Sequence, residues 1–490
     1  MRKWIMSSIT VAATLAVLAM VVSRAPSEPS HARARGGEAN AQRVPAEELA
    51  EQAEATDRRL EALDEARADG TAGKTAGFVQ APATGWTGAS LMNSAADDWE
   101  PAIATDPSAP YVYSLYTRYG EPKPCQGKCP SPLIVLRISQ DNGTTWGTER
   151  PLCVCRGAGS QYDPEIEVVP STGHVYAAWL NDGFNTVFAR STDHGKTWSD
   201  PVKTFGKVSW TDKPFLATDA TGRHVYISWN GPTGGDLFVA QSHDFGATWT
   251  QTKIADTKRY YFAFGGVVAP DGTVTFSQSS LTYTGPGASP EGSVQIHAIT
   301  STDRGATWTN TVVDTVPVGE ACDPVGGCSS DFYLGHAAIA ADARGALTIV
   351  YDGPTTDLGP QRIWARRSTD GGLTWSSRVQ LSSSSQGSAF TAVAANGRGD
   401  VRAWYMQQNG GPDAWNVYFR HSTDGGLTWS SPVLLSDVTA GTAYTTPAGF
   451  LEPYGDYGEI AVTSTGKTIA IWGEGMSWIG PGGVWVNRER

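Results

Sequence analysis

Six copies of one eight-residue motif, Ser-x-Asp-x-Gly-x-Thr-Trp, constrain what this chain can become more than any bulk property does. They occupy 139–146, 191–198, 242–249, 301–308, 368–375 and 422–429. Self-similarity at a spacing of this order means one supersecondary unit reused around a ring or along a stack. The residue types explain the motif. An Asp carboxylate can accept backbone N–H groups of the turn it begins, and Gly supplies the positive φ that side chains resist. The Trp then folds back onto apolar surroundings and pins the hairpin to its neighbour.

The motif resembles the Asp-box (bacterial neuraminidase) repeat of secreted bacterial proteins. That resemblance implies an all-β chain, a β-propeller of four-stranded antiparallel blades in which each box joins strands three and four. A second repeat lies between the boxes: strands at 112–116, 175–179, 225–229, 274–278, 347–351, 401–405 and 468–472, most ending in an aromatic residue. Each follows a first strand, such as 101–105, 164–168, 214–218 or 459–463, across an ordinary hairpin turn. That makes seven units against six boxes, and the last unit runs out after a third strand at 484–487. The segment 78–93 is the obvious donor of the missing strand, closing the ring and removing its edges. Seven blades are therefore expected, with six as the alternative.

Residues 1–34 read as an export signal: Arg2 and Lys3 precede an apolar run over 5–22, and Ala32-Arg33-Ala34 offers a cleavage site. An uncleaved anchor is the alternative, because the run borders on a membrane-spanning length. Residues 35–77 form an Ala/Glu-rich linker, and 78–490 the propeller. In an exported chain the close cysteine pairs Cys125/Cys129, Cys153/Cys155 and Cys322/Cys328 point to disulfides, with a four-thiolate zinc site at the first four as the alternative. The net charge of −12 argues against a nucleic-acid partner. No cofactor or dedicated metal site is expected, and the chain is expected to be a monomer that meets carbohydrate.

Chemistry is expected on the face opposite the boxes, where loops leading into first strands and loops joining strands two and three converge. That mouth is rich in acids and aromatics, a composition suited to sugar rings. Asp212-Lys213-Pro214-Phe215-Leu216 and the segment from Gly455 to Ile460 resemble segments of sialidase-like Asp-box proteins. A sialidase-type site implies three arginines clamping the sugar carboxylate, a Tyr nucleophile assisted by Glu, and an Asp acid/base. The matching residues here are Arg118, Arg259 and Arg362; Tyr457 or Tyr454 with Glu459 or Glu452; and Asp98 or Asp163. Asp212, Asp456 and Tyr454 join the substrate-binding set. The Phe-Arg-Ile-Pro segment that carries the first sialidase arginine is missing, and sialidases have six blades.

Bland readings stand beside these. Asp163 and Asp212 also suit turn caps, Glu165 and Glu459 suit either the central channel or a blade surface, and His336 suits a structural hydrogen bond. Three functions remain open on the sequence: an exported sialidase-like exo-hydrolase, a non-catalytic glycan- or protein-binding propeller, and an endo-acting polysaccharide hydrolase or lyase. Fold analogy alone does not choose among them.

Overall fold

The computed structural model describes a few residues between 60 and 68, and then 78–490 apart from residue 80 and the stretches 94–95, 155–158, 183, 209–210, 232–234, 256–258, 284–289, 320–334, 409–414, 437, 440–444, 447–448, 451–457 and 476–481. The export signal, nearly all of the linker, and Glu452, Tyr454, Asp456 and Tyr457 fall outside the described residues.

Seven four-stranded antiparallel sheets form the ring of a seven-bladed β-propeller. Blade one comprises Asp97–Thr105, Val112–Tyr119, Leu133–Ser139 and Arg150–Pro151. Blade two runs through Gln161–Val168, Val175–Asn181, Asn185–Ser191 and Val202–Lys203. Blade three has Asp212–Thr218, Val225–Gly231, Asp236–Ser242 and Thr250–Ala255. Blade four has Tyr260–Val268, Val274–Tyr283, Pro290–Ser301 and Thr309–Pro317. Blade five has Ala337–Ala341, Leu347–Gly353, Arg362–Ser368 and Val379–Gln380. Blade six has Ser388–Asn396, Asp400–Gln408, Trp415–Ser422 and Val433–Leu434. Blade seven takes Glu459–Val462, Thr468–Gly475 and Gly482–Arg488 from the C-terminus. Its fourth strand is Ser90–Leu91, with Ser90 opposite Val486 and Leu91 opposite Trp485. The ring thus closes with the strand expected from 78–93, and six blades are excluded.

The core is laid down between blades by the second strands. Tyr116, Trp179, Trp229, Tyr351, Tyr405 and Trp472 are all fully buried. Gln278 holds the same place in blade four, and there its amide nitrogen donates to Ser228 Oγ of blade three at 2.6 Å, while its Oε1 is buried without a hydrogen-bond partner in the protein.

Each box is one hydrogen-bonded turn. In the blade-three copy, Ser242 Oγ donates to Asp244 Oδ1 at 2.8 Å and accepts from Gly246 N at 2.9 Å. Thr248 donates to both Asp244 oxygens, from its N–H at 2.9 Å and from its hydroxyl at 2.6 Å. These bonds hold the carboxyl down, to about 2 at Asp303 and Asp370, with the threonine hydroxyl bond the largest cause. The box carboxylates are therefore committed to their turns. The Gly has a second duty: a Cβ at Gly246 would overlap Phe188 of blade two, and one at Gly305 would overlap Gln241 of blade three. The box is a clasp between neighbouring blades.

Cys125 and Cys129 form a disulfide in the loop between the second and third strands of blade one, and among the described residues no cysteine is free. The zinc alternative for the first four cysteines is thereby corrected, because a sulfur in a disulfide has no thiolate to offer a metal. Among the described residues no helix is long and apolar enough to cross a membrane.

Candidate functional site

First strands of all seven blades line a central cavity of about 310 Å³. The upper ends of several share one irregularity. A β-bulge interrupts the pairing of the first strand between Trp99 and Ala102, Tyr162 and Glu165, Asp212 and Phe215, and Ala389 and Thr391. The bulge residues Glu100, Asp163, Lys213 and Phe390 have φ of 55°, 50°, 46° and 50°. Holding a non-glycine residue there costs roughly 1–3 kcal/mol each and re-aims its side chain. Registers align Glu100, Asp163 and Lys213 with His336: each lies five residues before the residue facing the start of its second strand, whereas Phe390 lies six before Asn396, which faces Asp400. In blade seven the same count along the sequence falls on Tyr457.

His336 is 3% exposed and lines the cavity. Its Nδ1 lies 3.2 Å from Asp352 Oδ2, and its backbone N–H donates to Asp352 Oδ1 at 3.0 Å. Phe390 N of blade six donates to the same carboxylate at 3.1 Å. Asp352 is thus a fully engaged acceptor, which assigns the ring proton to Nδ1 and leaves the lone pair on Nε2. Nε2 is buried and meets no hydrogen-bond partner within the protein. Phe264 and Phe390 flank the ring at centroid distances of 4.8 and 4.4 Å. Burial pushes the imidazole below the ordinary histidine range; Asp352 opposes this and the Lys213 ammonium adds to it. The arrangement is an imidazole fixed from behind by a carboxylate, with its Nε2 left unpartnered.

The arginines fare differently. All five N–H groups of Arg118 are spent inside blade one: on Asp98 at 2.6 and 2.9 Å, on Glu149 at 2.8 and 2.7 Å, and on Pro122 O at 2.9 Å. Arg118, expected to clamp a substrate, has a fully buried guanidinium with every N–H donated within blade one. Asp98 is its partner; burial pushes its carboxyl up to about 6 against the pull of Arg118. Arg259 donates to Ser280 Oγ and to the carbonyls of Ser280 and Ser293, all at 2.7 Å and all in blade four. Arg362 donates to the carbonyls of Gln361 and Gln386 at 2.8 Å. The three are held in blades one, four and five, each by its own surroundings.

Glu165 and Glu459 line the channel rather than an outer blade surface. Glu459 accepts the N–H of Ile103 in blade one, and Glu165 that of Leu216 in blade three. Each therefore staples the inner edge of the following blade. Burial raises both carboxyls, Glu459 to about 8; repulsion from Glu459 and then Glu167 adds to it at Glu165, and repulsion from Glu167 at Glu459. Asp163 sits at the bulge of blade two, and Asp212 accepts Asn230 Nδ2 at 3.4 Å. Among the described residues no group of three or more His, Cys, Asp or Glu side chains could hold a metal ion. His336 is the residue whose role the sequence reading understated. The available signal was Asp352, which faces it across the hairpin.

No known family model matches the chain. A curated protein described as a sialidase, from Bacteroides fragilis (strain YCH46), is 25% identical over 287 residues, 51% of this chain and 49% of that protein. The chain thus spans about half the length of the curated relative it matches. Among solved structures, a protein of unknown function from Dyadobacter fermentans DSM 18053 is 13% identical with a TM-score of 0.47, covering 83% of this chain and 99% of its own. An ulvan lyase of polysaccharide lyase family PL25 is 10% identical with a TM-score of 0.47, covering 84% and 95%. The NanB sialidase of Streptococcus pneumoniae is 13% identical with a TM-score of 0.43, covering 84% and 70%.

Proposed function

We propose that this protein is an exported glycan-acting enzyme whose site is the mouth of the central channel, with His336 as its proton-transfer group. The observation that carries the reading is the buried His336–Asp352 pair with Nε2 left unpartnered beside the cavity. A buried nitrogen without a partner costs roughly 1–3 kcal/mol, and a group kept at that cost in a cleft is a candidate for function. The relative described as a sialidase supports carbohydrate as the ligand class, and the Cys125–Cys129 disulfide supports export.

The test is turnover by the full chain of a fluorogenic sialoside and of a polysaccharide panel that includes arabinan and glucan. His336→Gln should lower turnover by about 100-fold or more, with the circular dichroism spectrum retained. Failure of the wild-type protein both to turn over and to bind any member of the panel would overturn the reading.

Sialidase-type exo-hydrolysis is the second reading, favoured by that same relative. It assigns the nucleophile to Tyr457, with Tyr454 and Asp456 in the substrate set, Asp163 as acid/base, and Arg259 and Arg362 toward the sugar acid. Unchanged sialoside turnover in Tyr457→Phe would remove it.

A further inference from the structure

We infer that His224 and His243 form a two-histidine site for a late divalent transition metal, copper(II) above all, on the box side of blade three. The site stands apart from the channel and does not rest on the carbohydrate reading above.

Two fixed backbones carry the pair. Val225 at the start of the second strand faces Ser242 at the end of the third, so His224 and His243 occupy the next opposed places outward. Opposed side chains on neighbouring strands meet at about 5 Å between Cβ atoms. His224 closes the turn from the first strand: its N–H donates to Asp219 Oδ1 at 3.3 Å, and its carbonyl accepts Asp219 N at 3.0 Å. His243 is the second residue of the box, between Ser242 and Asp244, whose side chains bond each other at 2.8 Å. Its carbonyl accepts Arg223 Nε at 3.2 Å. With both backbones held, the two Nδ1 atoms lie 2.8 Å apart, the ring centroids 5.0 Å apart and the ring planes at 64°.

The repeat does not demand these residues. In the five other blades with boxes, the first place holds Tyr, His, Thr, Ala or Asp and the second holds Gln or Thr. Blade three sets two imidazoles face to face where the architecture needs none.

Contact at 2.8 Å requires one Nδ1 to give a proton and the other to accept it. A divalent ion can take the place of that shared proton, since both nitrogens then offer lone pairs to one point. His243 is exposed and His224 half-buried, so the ion has a path from solvent and the outer ring has room to turn. The nearby carboxylates are committed, Asp219 to the Thr221 hydroxyl and His224 N, Asp244 to its box. The pair therefore offers nitrogen, which suits late transition metals, and not the oxygen that magnesium and calcium require.

The spacing selects among those metals. Metal–imidazole bonds of about 2.0–2.1 Å to nitrogens 2.8 Å apart subtend about 85° at the ion. That is the angle between cis positions of a square-planar or octahedral ion, whereas a tetrahedral ion would need the nitrogens about 3.4 Å apart. Copper(II) and nickel(II) favour the first arrangement and zinc the second, and copper(II) also heads the general affinity order for such ligands. Water fills the remaining positions, so two protein ligands suffice.

The experiment titrates copper(II), nickel(II), zinc(II) and magnesium(II) into the untagged, chelator-treated full chain at neutral pH by calorimetry. Copper(II) should bind at this site tightest of the four, with magnesium silent, and electron paramagnetic resonance should show coupling to two imidazole nitrogens. His243→Thr installs the residue that four other boxes carry at this place, and His224→Thr the one that blade four carries, so both variants should fold. Each should lower copper(II) affinity by about 100-fold or more, because the second nitrogen of a chelate binds at high effective concentration. Copper(II) should also raise the melting temperature of the wild-type protein more than that of either variant. Equal affinity in wild type and both variants, a single coordinated nitrogen, or no uptake by the wild-type protein would each overturn the proposal. Zinc(II) bound ahead of copper(II) would overturn the assignment of the ion.

Discussion

A guanidinium presents five N–H donors in a rigid fork, and at Arg118 all five end on oxygens of blade one. Such a pair holds only while both partners stay, because removing one strands a buried charge. Asp98→Asn should therefore destabilise the protein by about 3–5 kcal/mol, read as a lower denaturation midpoint in guanidinium chloride at an unchanged slope. A loss below about 1 kcal/mol would show that Glu149 alone satisfies the arginine. His336 is the opposite case: one ring nitrogen is satisfied and the other is not. A residue's chemistry follows from which of its atoms the fold has left over, and residue type alone does not say that.

At the scale of the element, the box turn combines two demands on its glycine. Gly246 has φ of 81° and packs so closely on Phe188 that a Cβ would overlap the ring, whereas Gly272 has φ of 88° and open space around it. Gly272→Ala should cost about 1–2 kcal/mol for the left-handed backbone alone. Gly246→Ala should cost about 2–4 kcal/mol, because overpacking against blade two adds to that. Equal melting temperatures for the two variants would mean that the box does not clasp the neighbouring blade. The same elements show what the sequence made legible. Motif spacing and hairpin turns exposed seven units and the closing strand, since both are local signals that repeat. The site was legible only in part. Asp98 and Arg118 face each other in register, as do Asp212 and Asn230; His336 lies opposite Asp352, whose N–H bonds its carbonyl at 3.0 Å. Mirroring each hairpin about its turn finds all three pairs, yet it does not say which pair retains a spare atom. That depends on Phe390 N of the neighbouring blade six, and contacts between blades leave no mark on local spacing.

Closure of the whole ring brings carboxyls from separate blades into one narrow channel, and the molecule's pH dependence follows from that. Burial raises Glu459 to about 8 and Glu167 to about 7, and it raises Glu165 as well, with Glu459 the next cause there. In the unfolded chain the same groups lose their protons near 4.5. Between these limits the folded state binds more protons than the unfolded state, so stability falls as pH rises from about 4.5 to 8 and changes little beyond. The box aspartates act in the other direction. Asp244, Asp303, Asp370 and Asp424 are lowered to about 2, so their contribution is present above the ordinary aspartate value and is lost on acidification. The two families of carboxyl place the stability maximum near pH 4–5, on the acid side of neutrality. Glu459→Gln keeps an acceptor for Ile103 N and removes the titration. It should stabilise the protein at pH 8 by about 1–3 kcal/mol relative to wild type and leave pH 4 almost unchanged. Melting temperatures of both proteins across pH 4 to 9 decide the matter. A wild-type curve that rises toward pH 8, or an unchanged slope in the variant, would mean that the channel carboxyls ionise together without mutual penalty and that ring closure does not couple them.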